Sequence, residues 1–120
     1  MKAPSQSLAL RITALLGASA VGLGAFGAHA LKGLLVQHGR EDTWKTAVLY
    51  HLAHAVVLLV LATARDWRPW SWLCLATGIG VFSGSLYLLC LTQAGWLGAI
   101  TPLGGLAFLA GWLLLLRKPE

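Results

Sequence analysis

His51 and His54 are the residues of this chain whose type and spacing most invite chemistry. Three positions apart, they share one face of a helix, inside a stretch that is otherwise almost wholly apolar. Imidazoles titrate near neutral pH, and ionisable groups in hydrocarbon are expensive, so such a pair can relay protons or orient a ligand. The groups that could join them are His29, Tyr50, Ser83, Ser85, Tyr87 and Thr101, spread over four separate apolar segments. The same residues have a plainer use. Neutral imidazoles bonded to Tyr87, Ser85 or Thr101 fasten helices together, at about 0.6 kcal/mol per interhelical contact.

Other chemistries lack parts. A catalytic zinc needs three protein ligands, yet there is no HExxH, and no Asp or Glu falls inside an apolar segment. Axial haem histidines should face each other from two helices, whereas His51 and His54 sit on one. No acid is placed to complete a nucleophilic triad or to couple a proton-driven exporter, and no GxGxxG follows a strand. The expectation is therefore no catalytic residue, no metal and no cofactor. Cys74 and Cys90, about 24 Å apart along a helix, cannot pair with each other.

The elements that must position these side chains follow from composition. Of 120 residues, 58% are hydrophobic and 11% charged, more apolar surface than a soluble fold of this size can hide. The net charge of +5 is scattered between apolar stretches and forms no basic patch interleaved with aromatics, which argues against nucleic acid as a partner. The partner implied is the lipid bilayer, and the fold class an all-α, four-helix antiparallel transmembrane bundle in a single domain. Spans are expected at about 12–31, 44–64, 70–92 and 96–116, each matching a hydrocarbon core ~30 Å thick.

Small residues should make the seams, because close backbone approach drives association where lipid is as oily as leucine. The first span offers Gly17, Ala20, Gly24 and Gly27, the third Gly80 and Gly84, the fourth Gly98 and Gly105. A second copy of the chain could use the leftover small face of the third span. The basic start at Lys2 and Arg11 followed by Ala28-His29-Ala30 also fits a cleaved leader, but leaders need no packing face, so a retained helix is expected. Lys32 to Gly39 reads as a short interfacial helix, and Asp42 or Thr43 as the cap of the second span. Trp44, Trp67, Trp70 and Trp72 read as interfacial aromatics, and Pro102 as a kink inside the fourth span.

With four spans, Lys2, Arg11, Arg65, Arg68, Arg117 and Lys118 share one side and Lys32, Arg40 and Lys45 the other, which places both termini in the cytoplasm. At 1.5 Å per residue, the polar side chains then gather in the outer half of the bundle. His54, Tyr87 and Thr101 are expected to border an outward-facing pocket if the protein is a small transporter or ligand-binding bundle, with the ligand unknown.

Four motifs carry a resemblance: Gly24-Ala25-Phe26-Gly27-Ala28-His29-Ala30-Leu31-Lys32, the run Thr46 to Ala55 around Tyr50-His51-Leu52-Ala53-His54, Phe82-Ser83-Gly84-Ser85-Leu86-Tyr87-Leu88, and Gly98-Ala99-Ile100-Thr101-Pro102-Leu103-Gly104-Gly105. Together the chain resembles domain-of-unknown-function family 423. The resemblance implies a small multi-pass protein of the bacterial inner membrane whose first segment is retained. It brings no agreed reaction, cofactor or catalytic residue, so the reading remains a non-enzymatic structural or accessory membrane factor.

Overall fold

The computed structural model describes residues 2–118, and every regular element in them is helical. Helix α1 (Gln6–Ala28) is followed by the short α2 (Lys32–His38), α3 (Glu41–Thr63), α4 (Pro69–Gly78), a π-helical turn at Ile79–Ser83, α5 (Gly84–Thr92) and α6 (Leu97–Leu114). The π turn joins α4 and α5 into one rod, Pro69–Thr92, so four helices are long and apolar enough to cross a membrane. Helix α1 begins at Gln6, ahead of the Ile12 expected for its span, because Ser5 accepts from the Leu8 N–H and caps it.

Helix α3 begins at Glu41 and has no side-chain cap, so neither Asp42 nor Thr43 serves as one; Glu41 and Asp42 instead lie in its first turn, where the helix dipole favours carboxylates. Gly39, at φ 67, ends α2 in the left-handed region that glycine enters freely. Pro102 lies within α6.

Helix α3 and the α4–α5 rod are central; α1 packs on α3, and α6 packs on the rod. Half of the rod's most apolar window is buried against 17% of that of α1, and the uncovered faces of α1 and α6 display Leu15, Val21, Leu103, Leu106 and Leu113. In water this would be an aggregation surface; in hydrocarbon it is the lipid face.

The rod and α6 interlock in one antiparallel register. Leu75 sits over Gly111, Phe108 over Gly78, Phe82 over Gly104, and Ser85 meets Thr101. Large and absent side chains alternate across this seam, so a Cβ on Gly78, Gly104 or Gly111 would overlap its neighbour. On the other side Gly27 receives the Trp44 indole, Gly24 touches Val48, and Ala20 is buried. Added methyls at Gly17, Gly80, Gly84, Gly98 and Gly105 would meet nothing within 4 Å. The tight crossings of the last two spans thus fall at Gly78, Gly104 and Gly111 instead of the glycines expected, because Phe82 and Phe108 set the phase of the seam.

The end holding both described chain ends is tied by Gln6 Nε2, which donates to the carbonyls of Ala62 (3.0 Å) and Ala64 (2.7 Å), and by Trp67 Nε1, which donates to Pro4 O. There Arg68 Nη1 donates to Leu115 O and Arg117 O, closing the C-terminus of α6. At the opposite end Gln93, at φ 60, turns the chain after α5 and bonds Arg40 and the His38 carbonyl.

Candidate functional site

Both intramembrane histidines are buried, and each bridges helices. His51 Nε2 lies 2.8 Å from Leu16 O on α1, and its Nδ1 lies 2.8 Å from the Tyr87 hydroxyl on α5. A carbonyl only accepts, so Nε2 carries the hydrogen toward Leu16; a neutral ring then takes the Tyr87 proton at Nδ1. One imidazole therefore ties three helices. Ser19 Oγ stands 3.3 Å from the same Nε2 and donates to Leu16 O, and Trp44 packs on the Tyr87 ring at 4.8 Å.

His54 is fixed in the opposite tautomer. Its Nδ1 is 2.8 Å from Tyr50 O, an obligate acceptor, and its Nε2 receives the Trp112 indole N–H at 3.0 Å, an obligate donor. Both partners are satisfied only by a neutral ring protonated at Nδ1. Phe108 stacks on this ring with centroids 3.8 Å apart, and Tyr50 stands 4.7 Å from Phe82. Both contacts hold α3 against the seam between α6 and the rod.

The remaining polar residues form two more separate contacts. Ser83, fully buried, donates to Ala47 O at 2.8 Å, joining the rod to α3. Ser85 and Thr101 share a 2.6 Å bond between α5 and α6. Two residues apart on a helix, Ser83 and Ser85 face opposite neighbours. His29 is exposed in the turn after α1, its backbone N–H bonded to Ala25 O at 3.1 Å, and joins none of these contacts. The eight candidate residues thus form four separate contacts and one turn position. His54, Tyr87 and Thr101, expected around one pocket, have three different partners.

Sequence reasoning missed the tryptophans as fasteners. Trp44 and Trp72, read as interfacial, are 3% and 2% exposed. Their indole N–H groups donate to Leu23 O at 2.9 Å and Thr13 Oγ1 at 3.0 Å, both on α1. The signal was present: a tryptophan beside a small-residue segment fits a buried indole whose N–H needs a partner.

Two grooves lie elsewhere. One, of about 470 Å³, runs between α1 and α3 beside α2, over Gly24, Gly27, Trp44 and Val48 with Lys32, Glu41 and Lys45 at its edge. The other, of about 430 Å³, lies at the end of the molecule that holds the chain termini. None of the eight candidate polar residues lines either. Among the described residues no three His, Cys, Asp or Glu side chains come together as metal ligands would.

The family model described as "Protein of unknown function (DUF423)" matches residues 23–105, which hold His29, both buried histidines, Ser83, Tyr87 and Thr101. The chain belongs to the DUF423 family. Among its relatives, UPF0382 membrane protein YwdK of Bacillus subtilis is 48% identical over 103 residues, 80% of this chain and 82% of the relative. UPF0382 inner membrane protein YgdD of Escherichia coli K12 is 41% identical over 113 residues, 89% of this chain and 85% of that one. No solved structure matches. DUF423 membership and four apolar helices make this a small multi-pass membrane protein, and family names describe no reaction.

Proposed function

We propose that the protein is a non-catalytic structural or accessory factor of the bacterial inner membrane, whose intramembrane polar residues lock its own helices. One observation carries the reading: His51, His54, Ser83, Ser85, Tyr87 and Thr101 are each matched to a hydrogen-bond partner across or within helices, and every side-chain nitrogen or oxygen among the described residues that is wholly closed off from the surface has one. A ligand site or proton relay keeps such groups free to exchange partners. In this reading α1 is a retained member of the bundle, held by His51, Trp44, Trp72 and Gln6. The excess of basic residues at the end shared by both termini supports a cytoplasmic location for that end.

The test replaces both partners of a contact by apolar groups of similar shape, which leaves no buried polar group stranded. The pairs His51→Phe with Tyr87→Phe, and His54→Phe with Trp112→Phe, should still support normal competitive growth in a host lacking its own copy, provided protease resistance shows the bundle intact. A variant that inserts and folds normally yet fails to restore growth refutes the proposal. Intact-mass measurement on the purified protein reads retention of α1 and the number of subunits together.

A further inference from the structure

The groove at the termini end has the features of an anion site, and the growth reading above does not use it. Its charged lining residues are Arg68, Arg117 and Lys118, and no carboxylate lines it among the described residues. Arg68 uses Nη1 on the Leu115 and Arg117 carbonyls, leaving Nε and Nη2 without a partner among the described residues. The groove also contains the first turn of α4, a ten-residue helix whose N-cap, Arg68, makes no side-chain capping bond. The free N–H groups of that turn, with Pro69 contributing none, attract negative charge.

The independent observation is Ser71. It is 3% exposed and lines the groove, yet its hydroxyl has no hydrogen-bond partner among the described residues. Fully enclosed side-chain oxygens among the described residues all have partners, so the Ser71 Oγ keeps a sliver of open surface, and Ser71 lines the groove. Buried hydroxyls are normally satisfied, and a headgroup oxygen would do so here.

We propose that this groove binds one anionic phospholipid. Its phosphate sits among Arg68, Arg117, Lys118 and the start of α4, and an acyl chain runs down past Cys74 and Leu114. The occupant follows from the surroundings. The polar end of the groove lies at helix ends beside Trp70, 37% exposed, where headgroups sit, while its apolar lining continues toward the hydrocarbon. A volume of about 430 Å³ suits a headgroup and the first part of one chain, in the range of ligand sites generally.

The experiment uses the full chain in phosphatidylcholine vesicles and reads quenching of tryptophan fluorescence, since Trp67 and Trp70 line the groove. One-tenth of the lipid is brominated, either phosphatidylglycerol or phosphatidylcholine. Brominated phosphatidylglycerol should quench in excess of its mole fraction, the excess should vanish in Trp70→Phe with Trp67→Phe, and each of Arg117→Gln and Lys118→Gln should lower the preference about fivefold. Ser71→Ala should weaken it while leaving protease resistance unchanged. Equal quenching by the two lipids, or an excess that survives both charge removals, overturns the proposal. So does displacement by millimolar inorganic phosphate, which would mark a site for a free anion, or an excess seen only after residues 119–120 are deleted, which would make the chain's own end the occupant. The lipid preference can fail with growth unaffected, and growth with lipid preference intact, so the two proposals fall separately.

Discussion

Of the neighbours Gly104 and Gly105, small-residue spacing pointed to Gly105 as the packed one while the structure packs Gly104, and replacing each by alanine should move stability in opposite directions. A Cβ at Gly104 would be driven into the backbone of Phe82, at the nitrogen and Cα, which no rotamer change can clear. Overpacking costs about 1–3 kcal/mol, and a clash with backbone belongs at the upper end. Alanine also gains up to about 1 kcal/mol over glycine in a helix, which leaves Gly104→Ala a net loss of about 2 kcal/mol. Gly105→Ala meets nothing within 4 Å, so only the gain remains, about 0.5–1 kcal/mol. Unfolding of the two variants in mixed micelles by increasing denaturing detergent, followed by circular dichroism, compares them under one condition. Shifts of the same sign, or a destabilised Gly105→Ala with an unaffected Gly104→Ala, would show that the seam between α6 and the α4–α5 rod is out of phase with the one described.

The tryptophan and histidine fasteners make further expectations. His54→Phe alone strands the Trp112 indole N–H and should lose about 1–3 kcal/mol, with part recovered on adding Trp112→Phe; independent, additive losses would refute that bond. A double-mutant cycle on Trp72→Phe and Thr13→Val should give a coupling near 0.6 kcal/mol, measured by the same detergent titration, and no coupling would mean the indole does not reach α1. Alkylation in micelles should modify the half-buried Cys74 well before the fully buried Cys90, and equal rates would contradict the packing of α5. In a chain with both native cysteines replaced by serine, Gln37→Cys should react with a membrane-impermeant maleimide on intact cells and Lys118→Cys should not. The reverse pattern would invert the orientation.

Composition and the spacing of charges determined that this chain makes four apolar helices, since unpaired backbone groups in hydrocarbon permit little else. The sequence also put the small residues of α1, Gly17, Ala20, Gly24 and Gly27, on one face, but not which of them would be packed: Ala20 is buried and Gly24 and Gly27 meet α3, while Gly17 has nothing within 4 Å. Tertiary structure decided the rest. Which glycines of the later spans are closely packed depended on where Phe82 and Phe108 landed, and a glycine stripe has no phase until a large side chain enters it. The polar residues could be named from sequence but not paired: His54 found Trp112, eleven residues beyond Thr101, the candidate hydroxyl on α6, because the rings of Phe108 and Trp112 reach across to α3. The groove beside Ser71 was likewise invisible, since a serine in a helix's first turn is ordinary until packing buries it with no partner among the described residues. Side-chain chemistry along a chain sets which contacts are affordable, and only the packed register selects the ones that form.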